Sequence, residues 1–217
     1  MSISTLLPFM VRLDPARQQV FKQLAPFSDC FVLAGGTAIM LQIGHRLSYD
    51  FDCFSETNQP ANLLRKIKGV FGSQILLQVE TGEQITFKTS SGVEVTFTHH
   101  PYPLLQKPIK TASIPLFHLD DLAANKAYTI GRRGAWRDYV DLFILLRWEL
   151  YDIFTLIKLA TRKFTGEFND KLFLEQLCYF KDVELVPTKF LKKNYTADEI
   201  KSFLEQQVES YVKKILG

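Results

Sequence analysis

Two aspartates separated by one residue, Asp50 and Asp52, have the spacing in this 217-residue sequence that most directly predicts chemistry. Alternate residues of a β-strand point to the same face, so the two carboxylates are expected to converge while Phe51 enters the core. Two negative charges held this close need a cation, and Mg²⁺ binds hard oxygen ligands while leaving positions for water and phosphate oxygens. We therefore expect a magnesium site, with two ions in the arrangement that activates a hydroxyl and stabilises a leaving group. The alternative is a solvated strand end.

A glycine pair precedes the aspartates in the segment LAGGTAIMLQIGHRLSYDFDCF. Gly35 and Gly36 follow a short apolar run and open a predicted helix, so their backbone N–H groups could approach a phosphate without obstruction from a Cβ atom. The Thr37 hydroxyl and the helix N-terminus would add hydrogen-bond donors and partial positive charge. A tight turn with no ligand is the alternative for the glycine pair alone.

Together these residues resemble the nucleotidyltransferase superfamily, in which a glycine-rich turn opens a helix and a strand with two aspartates follows. The match is more specific to the AbiEii and AbiGii toxin branch, whose signature is shared here by Gly36, Thr37, Arg46, Ser48, Asp50, Asp52 and Phe54. A second segment, KAYTIGRRGAWRDYVDLFILL, is similar to a later block of that family through Lys126, Arg132 or Arg133, Asp138 and Asp141.

The resemblance implies transfer of a nucleoside monophosphate from an NTP to a hydroxyl acceptor, with an RNA 3′ end, particularly that of tRNA, as the leading acceptor. It also implies a toxin-like role and a cognate antitoxin as protein partner. Gly35, Gly36, Thr37, Arg46 and Ser48 are the expected nucleotide and phosphate ligands. His45, next to Arg46, is a weaker candidate for a base or phosphate contact, and solvation in the loop is the alternative for it.

The second block is consistent with a catalytic role on physical grounds. Asp138 and Asp141 lie three residues apart on one face of a predicted helix, while Val140, Leu142, Phe143 and Leu145 are expected in the core. Lys126 is expected to neutralise phosphate charge as a compact ammonium, and Asp141 to orient Lys126 or the attacking hydroxyl. Asp138, Arg132 and Arg133 are weaker candidates, and a structural salt bridge is the alternative.

One departure from the superfamily pattern concerns the third carboxylate, which related enzymes carry on a neighbouring strand. In the run GVEVTFTHH that position holds Thr96. Glu94 lies two residues earlier on the same strand face and is the expected third metal ligand. If Glu94 does not fill this role, the alternative function is a catalytically silent module that binds a nucleotide or a partner protein.

Other residues with possible chemistry favour structural interpretations. His99 and His100 are adjacent on a strand and so point to opposite faces, where they cannot both bind one metal ion. A structural or surface position is expected for them. The apolar residues from Phe164 to Phe180 are expected in a helical core rather than in a base-stacking platform. The lysine run Lys189, Lys192 and Lys193 is expected to be solvated, with RNA backbone contact as the alternative.

The elements that position these residues follow from periodicity and turn signals. Helices are predicted after Asp14-Pro15, from Thr37 to Ile43 and from Pro60 to Phe71, and strands at residues 31–34, 50–54, 75–80, 84–88 and 93–98. From Leu119 onward the pattern is helical, with a Thr196/Glu199 capping box before the last helix. The pattern therefore predicts an α+β lobe with a mixed sheet at residues 1–115 and a helical lobe at residues 116–217. The family resemblance implies that the first lobe has the nucleotidyltransferase fold and that the active site lies in the cleft between the lobes.

Composition limits the cellular setting. The net charge of +3 does not by itself indicate nucleic-acid binding. Three widely spaced cysteines without a CxxC pair are expected to be reduced and mostly buried. The N-terminus lacks a signal-peptide pattern and no apolar stretch reaches the length of a membrane span, so we expect a cytoplasmic protein.

Overall fold

The structure is a computed structural model that describes residues 7–216. The chain divides into two compact units, the first ending at His118 and the second beginning at Leu119. Within the described range, no helix has both the length and the apolar character needed to cross a membrane. The first six residues, which open the segment considered above for a signal peptide, lie outside the described part of the chain.

The first unit contains a five-stranded mixed sheet with helices. Its elements are, in chain order, α1 (Pro15–Gln23), β1 (Val32–Ala34), α2 (Gly35–Ile43), β2 (Phe51–Ser55), α3 (Leu63–Phe71), β3 (Leu76–Glu80), β4 (Gln84–Lys88) and β5 (Glu94–His99). The strand order is β1-β2-β5-β4-β3. Strands β2 and β5 are parallel, and the other neighbouring pairs are antiparallel. This mixed sheet confirms the predicted α+β fold class.

Local sequence explains where the helices of this unit begin and end. Asp14 caps α1 by accepting a hydrogen bond from the Arg17 backbone N–H, and Pro15 occupies the first helical position. Helix α2 ends at Gly44, whose φ of 61° is the left-handed conformation that glycine adopts at low cost. Phe27 and Phe97 anchor the core, where their ring centroids lie 4.7 Å apart.

The second unit is helical, as predicted. It comprises α4 (Leu119–Ile130), α5 (Trp136–Arg147), α6 (Ile153–Lys163), α7 (Asp170–Leu177) and α8 (Ala197–Leu216). The Thr196/Glu199 capping box is present. The Thr196 N–H donates a 2.7 Å hydrogen bond to Glu199 Oε2, and the Glu199 N–H donates a 3.2 Å hydrogen bond to the Thr196 hydroxyl oxygen. The four core residues predicted on α5 are buried, as are Phe164, Phe173 and Leu177, so the apolar stripe belongs to the core.

Three local predictions need correction. Strand β2 begins at Phe51, so Asp50 immediately precedes the strand instead of opening it. Helix α3 begins at Leu63, three residues after the predicted start, because a turn at residues 61–62 follows Pro60. The cysteines are free, but the prediction of burial is wrong for Cys30, which lies exposed in the turn before β1, whereas Cys53 is buried.

Candidate active site

The glycine turn and the aspartate strand meet at the end of β1. In the antiparallel β1–β2 ladder Ala34 is paired with Asp52, and Gly35 follows directly with a φ of +66°. A Cβ atom on Gly35 would overlap the Asp52 carboxylate oxygen Oδ2. Glycine is therefore required here both by the backbone conformation and by the close approach of the carboxylate.

The second glycine lies against two other residues of the predicted set. A Cβ atom on Gly36 would lie 2.6 Å from Nη2 of Arg46 and 3.0 Å from Oγ of Ser48. Arg46 is 3% exposed, and its Nη1 donates a 3.1 Å hydrogen bond to the Leu47 carbonyl oxygen. The structure thus places a buried guanidinium beside the first turn of α2, where helix-end N–H groups already favour an anion.

Thr37 fixes the chain just before the aspartate strand. Its hydroxyl donates a 2.5 Å hydrogen bond to the backbone carbonyl oxygen of Asp50. This bond ties α2 to the residue that precedes β2, so the single hydroxyl proton of Thr37 is engaged within the turn. Phe51 is fully buried, as alternation predicts, while Asp52 on the opposite strand face and Asp50 just before the strand are half-buried.

Strand β5 places Thr96 directly beside Asp52. The parallel β2–β5 register pairs these two residues, and the Thr96 hydroxyl lies 3.0 Å from the Thr86 hydroxyl on β4. Glu94 shares the strand face of Thr96, two residues earlier, and forms a 3.9 Å ion pair with Lys88 of β4. Since β5 lies between β2 and β4, this pairing partner is on the side of Glu94 away from the aspartates.

The donor set fits a hard divalent cation in part. Asp52 brings a carboxylate oxygen close to the glycine turn, and Asp50 lies two residues before it in the chain. Carboxylate oxygens completed by water and substrate are the ligand chemistry of Mg²⁺ sites. Within residues 7–216, no group of three His, Cys, Asp or Glu side chains surrounds a common metal position. Burial, with a smaller contribution from the Asp52 charge, raises the pKa of the adjacent Cys53 thiol, which favours its protonated form in the core.

The second block forms a buried ion cluster between α4 and α5. The ammonium of Lys126 lies 2.6 Å from Asp138 Oδ1 and 2.6 Å from Asp141 Oδ2. All three residues are less than 10% exposed, and Asp141 is completely buried. Both carboxylates therefore pair with the Lys126 ammonium at equal distance, which is also the arrangement expected of a structural salt bridge. Arg133 adds a more distant contact, with its Nε 3.5 Å from Asp138 Oδ2.

Several other predicted residues have structural partners. Arg132 lies with its guanidinium carbon 3.7 Å from the centre of the Tyr128 ring and pairs with Glu167 at 3.5 Å. His45 is 1% exposed, so the alternative of a solvated loop residue is wrong for it. His100 packs its ring 4.7 Å from that of Phe54 instead of pairing with His99.

A second buried ion pair was missed from the sequence. Lys163 of α6 donates a 2.5 Å hydrogen bond to Asp121 of α4, and both side chains are inaccessible to solvent. Beside it, Tyr151 donates a 2.6 Å hydrogen bond to Asp120, and burial together with that carboxylate raises the pKa of the tyrosine. The adjacent acids at the start of α4 could have been noticed, but helix N-termini commonly carry exposed acids, so the signal is weak.

Comparison with known proteins identifies the family of this chain. The model of the AbiEii family, described as a nucleotidyl transferase toxin of type IV toxin–antitoxin systems, matches residues 20–215. An uncharacterized protein of Aquifex aeolicus is 27% identical over 210 residues, which cover 94% of this chain and 99% of that protein.

Solved structures agree in fold. A putative nucleotidyltransferase from Helicobacter pylori superposes with a TM-score of 0.59 at 18% identity, covering 93% of this chain and 97% of that one. The nucleotidyltransferase toxin MenT4 from Mycobacterium tuberculosis gives a TM-score of 0.61 at 13% identity, covering 96% and 88%. With the family match extending over most of the chain, the protein belongs to the AbiEii family of nucleotidyltransferase toxins.

Proposed function

We propose that this nucleotidyltransferase moves a nucleoside monophosphate from an NTP to a hydroxyl acceptor, with Mg²⁺ held by Asp50 and Asp52. The observation that carries the proposal is the close approach of the Gly35 backbone to the Asp52 carboxylate. A phosphate at the first turn of α2 would lie beside these carboxylates, which is where a metal ion shared between protein and triphosphate is needed.

The bound metal would polarise the phosphoryl oxygens and lower the pKa of the attacking hydroxyl. The residues of the chain position the reactants around it. Arg46 balances triphosphate charge from a buried position, and Ser48 lies against the same glycine. The Thr37 hydroxyl holds Asp50 in place, so the phosphate donors in this proposal are backbone N–H groups of the first helical turn.

Glu94 is the proposed third metal ligand. Its register position on β5 is two residues before Thr96, on the strand face shared with Asp52. Its present partner, Lys88, is half-exposed, and exposed ion pairs contribute only about 0–1 kcal/mol. A carboxylate held this weakly can turn towards a divalent cation at little cost.

For the acceptor we propose an RNA 3′ hydroxyl, with tRNA as the leading class, and for regulation a cognate antitoxin protein. Both proposals rest on the family of toxin–antitoxin nucleotidyltransferases to which the chain belongs. Lys126 and Asp141 are proposed to take part in the same reaction, with the ammonium acting on the triphosphate and the carboxylate fixing its position. A cytoplasmic location, where NTP and RNA are both present, completes this proposal.

The deciding experiment measures pyrophosphate release and 3′ labelling of RNA with each NTP, with and without Mg²⁺. Asp50→Asn and Asp52→Asn should abolish both signals, because each change removes a metal ligand. Removing one of two repelling charges should leave the melting temperature unchanged or raise it. Asp29→Asn, an exposed aspartate of the same unit, is the control that should stay fully active. Activity of either site variant within about tenfold of wild type, a barrier change near 1.4 kcal/mol, would exclude the metal assignment.

The same preparations test a binding-only function, which the neutral Thr96 beside Asp52 favours. In that case an NTP with Mg²⁺ should raise the melting temperature of the wild-type protein while no pyrophosphate forms. Stabilisation with release of pyrophosphate supports the transferase.

A further inference from the structure

Cations and aromatic rings together line a cavity in the second unit, at the junction of α5 and α8. The cavity has a volume of about 260 Å³, and its lining includes Arg147, Lys193, Tyr195 and Phe203, which we call the cation–aromatic groove. We infer that this groove binds a single-stranded segment of RNA. The inference rests on the proposed function in one respect, namely that the acceptor is RNA.

The charges of the groove lie on ring faces. The guanidinium carbon of Arg147 is 5.5 Å from the centre of the Phe203 ring, and Nζ of Lys193 is 5.2 Å from that of Tyr195. Directly beside them, Nζ of Lys192 lies 4.1 Å above the ring of Trp148. Arg147 and Lys193 are exposed, so each carries its charge at the surface while its ring remains close by.

The acidic residue in the lining of the groove, Glu199, takes part in the capping box of α8. The Glu199 carboxylate accepts a hydrogen bond from the Thr196 backbone N–H as part of the capping box. These Thr196 bonds lower the pKa of the Glu199 carboxyl, and the charges of Lys193 and Arg147 lower it further to a smaller extent. The Glu199 carboxylate is therefore ionised and hydrogen-bonded at the start of α8. With two cations, Arg147 and Lys193, against this one carboxylate, the lining of the groove has a net positive charge.

Two features favour a nucleic-acid strand over other occupants. A volume of about 260 Å³ is below the 300–1,000 Å³ typical of enclosed small-molecule sites, so an extended chain that passes through the groove fits better. Basic side chains that follow a phosphate backbone, with rings that stack on bases, are the general mode of binding single strands. An acidic peptide would use the cations but would gain nothing from the flat faces.

The rings are held in place before any ligand arrives. The Tyr195 ring lies 4.8 Å from that of Phe143 and 5.4 Å from that of Phe190, in edge-on geometry in both cases. Phe203 likewise meets Phe143 edge-on at 5.2 Å. Fixed rings lose little conformational entropy on binding, which favours stacking. A neighbouring cavity that shares Arg147 and Phe203 carries acidic Glu149 and Asp152, so we expect the strand to follow the lysine side.

The test measures fluorescence anisotropy of a labelled 12-nucleotide single-stranded RNA in the Asp52→Asn background without NTP, at several salt concentrations. Lys192→Gln/Lys193→Gln should weaken binding and reduce the slope of log affinity against log salt by about 1.4, since each lost phosphate contact accounts for about 0.7. The control Lys213→Gln/Lys214→Gln changes the charge equally, but its residues lie about 15 Å further along α8 from Phe203. It should leave the affinity within about twofold.

Tyr195→Leu separates stacking from charge. Leucine keeps an apolar contact with Phe143 but has no ring face, so RNA affinity should fall about fivefold or more while the salt slope stays constant. If the melting temperature shows that this variant is unstable, Phe203→Leu replaces it as the test of stacking. The exposed lysine pair tests the phosphate contacts independently of either ring.

The remaining outcomes each decide the matter. No RNA binding, or equal affinity for wild type and both groove variants, overturns the groove. A labelled 12-residue polyglutamate peptide serves as the second probe. If its binding requires the lysines while the affinity for RNA is unchanged by Tyr195→Leu, the groove is also overturned and an acidic protein partner is indicated. Pyrophosphate release by the wild type is scored separately, so loss of the transferase proposal and loss of the groove are distinguishable.

Discussion

Gly35→Ala is the sharpest test of the site geometry. Alanine at a φ of +66° carries a backbone strain of about 1–2 kcal/mol, because its Cβ meets the following carbonyl oxygen in the left-handed region. The new methyl group would also overlap Oδ2 of Asp52 and force that carboxylate to move. For a chain of this length the strain alone should lower the melting temperature by about 2–8 °C. Displacement of a catalytic group by about 1 Å can lower the rate about 100-fold, so we expect nucleotidyl transfer to fall by at least that factor.

Gly92→Ala is the matched control for backbone strain. Gly92 has a φ of +79° in the turn between β4 and β5, and a Cβ atom there would meet nothing within 4 Å. The two variants should therefore lose similar stability, measured by thermal unfolding, whereas only Gly35→Ala should lose transfer, measured by pyrophosphate release from folded protein. If Gly35→Ala retained activity within about threefold of Gly92→Ala, the close approach of the glycine turn to Asp52 would have no catalytic meaning.

Other expectations concern the ion pairs and a buried tyrosine. Lys126→Met and Lys163→Met should each destabilise the fold by about 3–5 kcal/mol in urea unfolding, since each removes the cation of a buried ion pair, but only Lys126→Met should reduce transfer per folded molecule. Burial raises the pKa of Tyr139 from 10.0 to about 12, so the folded state holds its proton longer than the unfolded state. Stability should therefore fall by up to about 1.4 kcal/mol per pH unit between pH 10 and 12, and Tyr139→Phe should show a shallower decline in that window. Glu94→Gln should lower transfer at limiting Mg²⁺, whereas Lys88→Gln, which frees the Glu94 carboxylate, should not. Equal effects of the two changes on transfer would show that the Lys88–Glu94 ion pair contributes only to stability.

The parts of the site that the sequence predicted are those governed by local rules. Strand alternation buried Phe51 and placed Asp52 on the other face, and the glycine pair led directly into α2. The strand order was not predictable, because the pairing of β2 with β5 depends on contacts between residues far apart in the chain. The Lys163–Asp121 pair joins residues 42 positions apart without a spacing signal, so it emerged only from the fold. The cluster of Lys126 with its aspartates was predictable in part. Helical spacing placed Asp138 and Asp141 on one face, whereas their pairing with Lys126 of the preceding helix came from the fold.

The neutral position beside Asp52 has an electrostatic consequence for the whole site. With Thr96 in place of an acid, its hydroxyl satisfied by Thr86, the sheet face next to Asp52 is polar but uncharged. Asp50 and Asp52 alone carry two negative charges, which balance one divalent ion. A second ion would add charge that only a further carboxylate could offset. Glu94 is the acid on this strand face, and the half-exposed pair that holds it is worth about 0–1 kcal/mol, far less than the attraction of a divalent cation at close range. Occupation of a second metal position should thus depend on Glu94 leaving Lys88, and the binding of the triphosphate, which brings metal ligands of its own, is the event that would favour that movement.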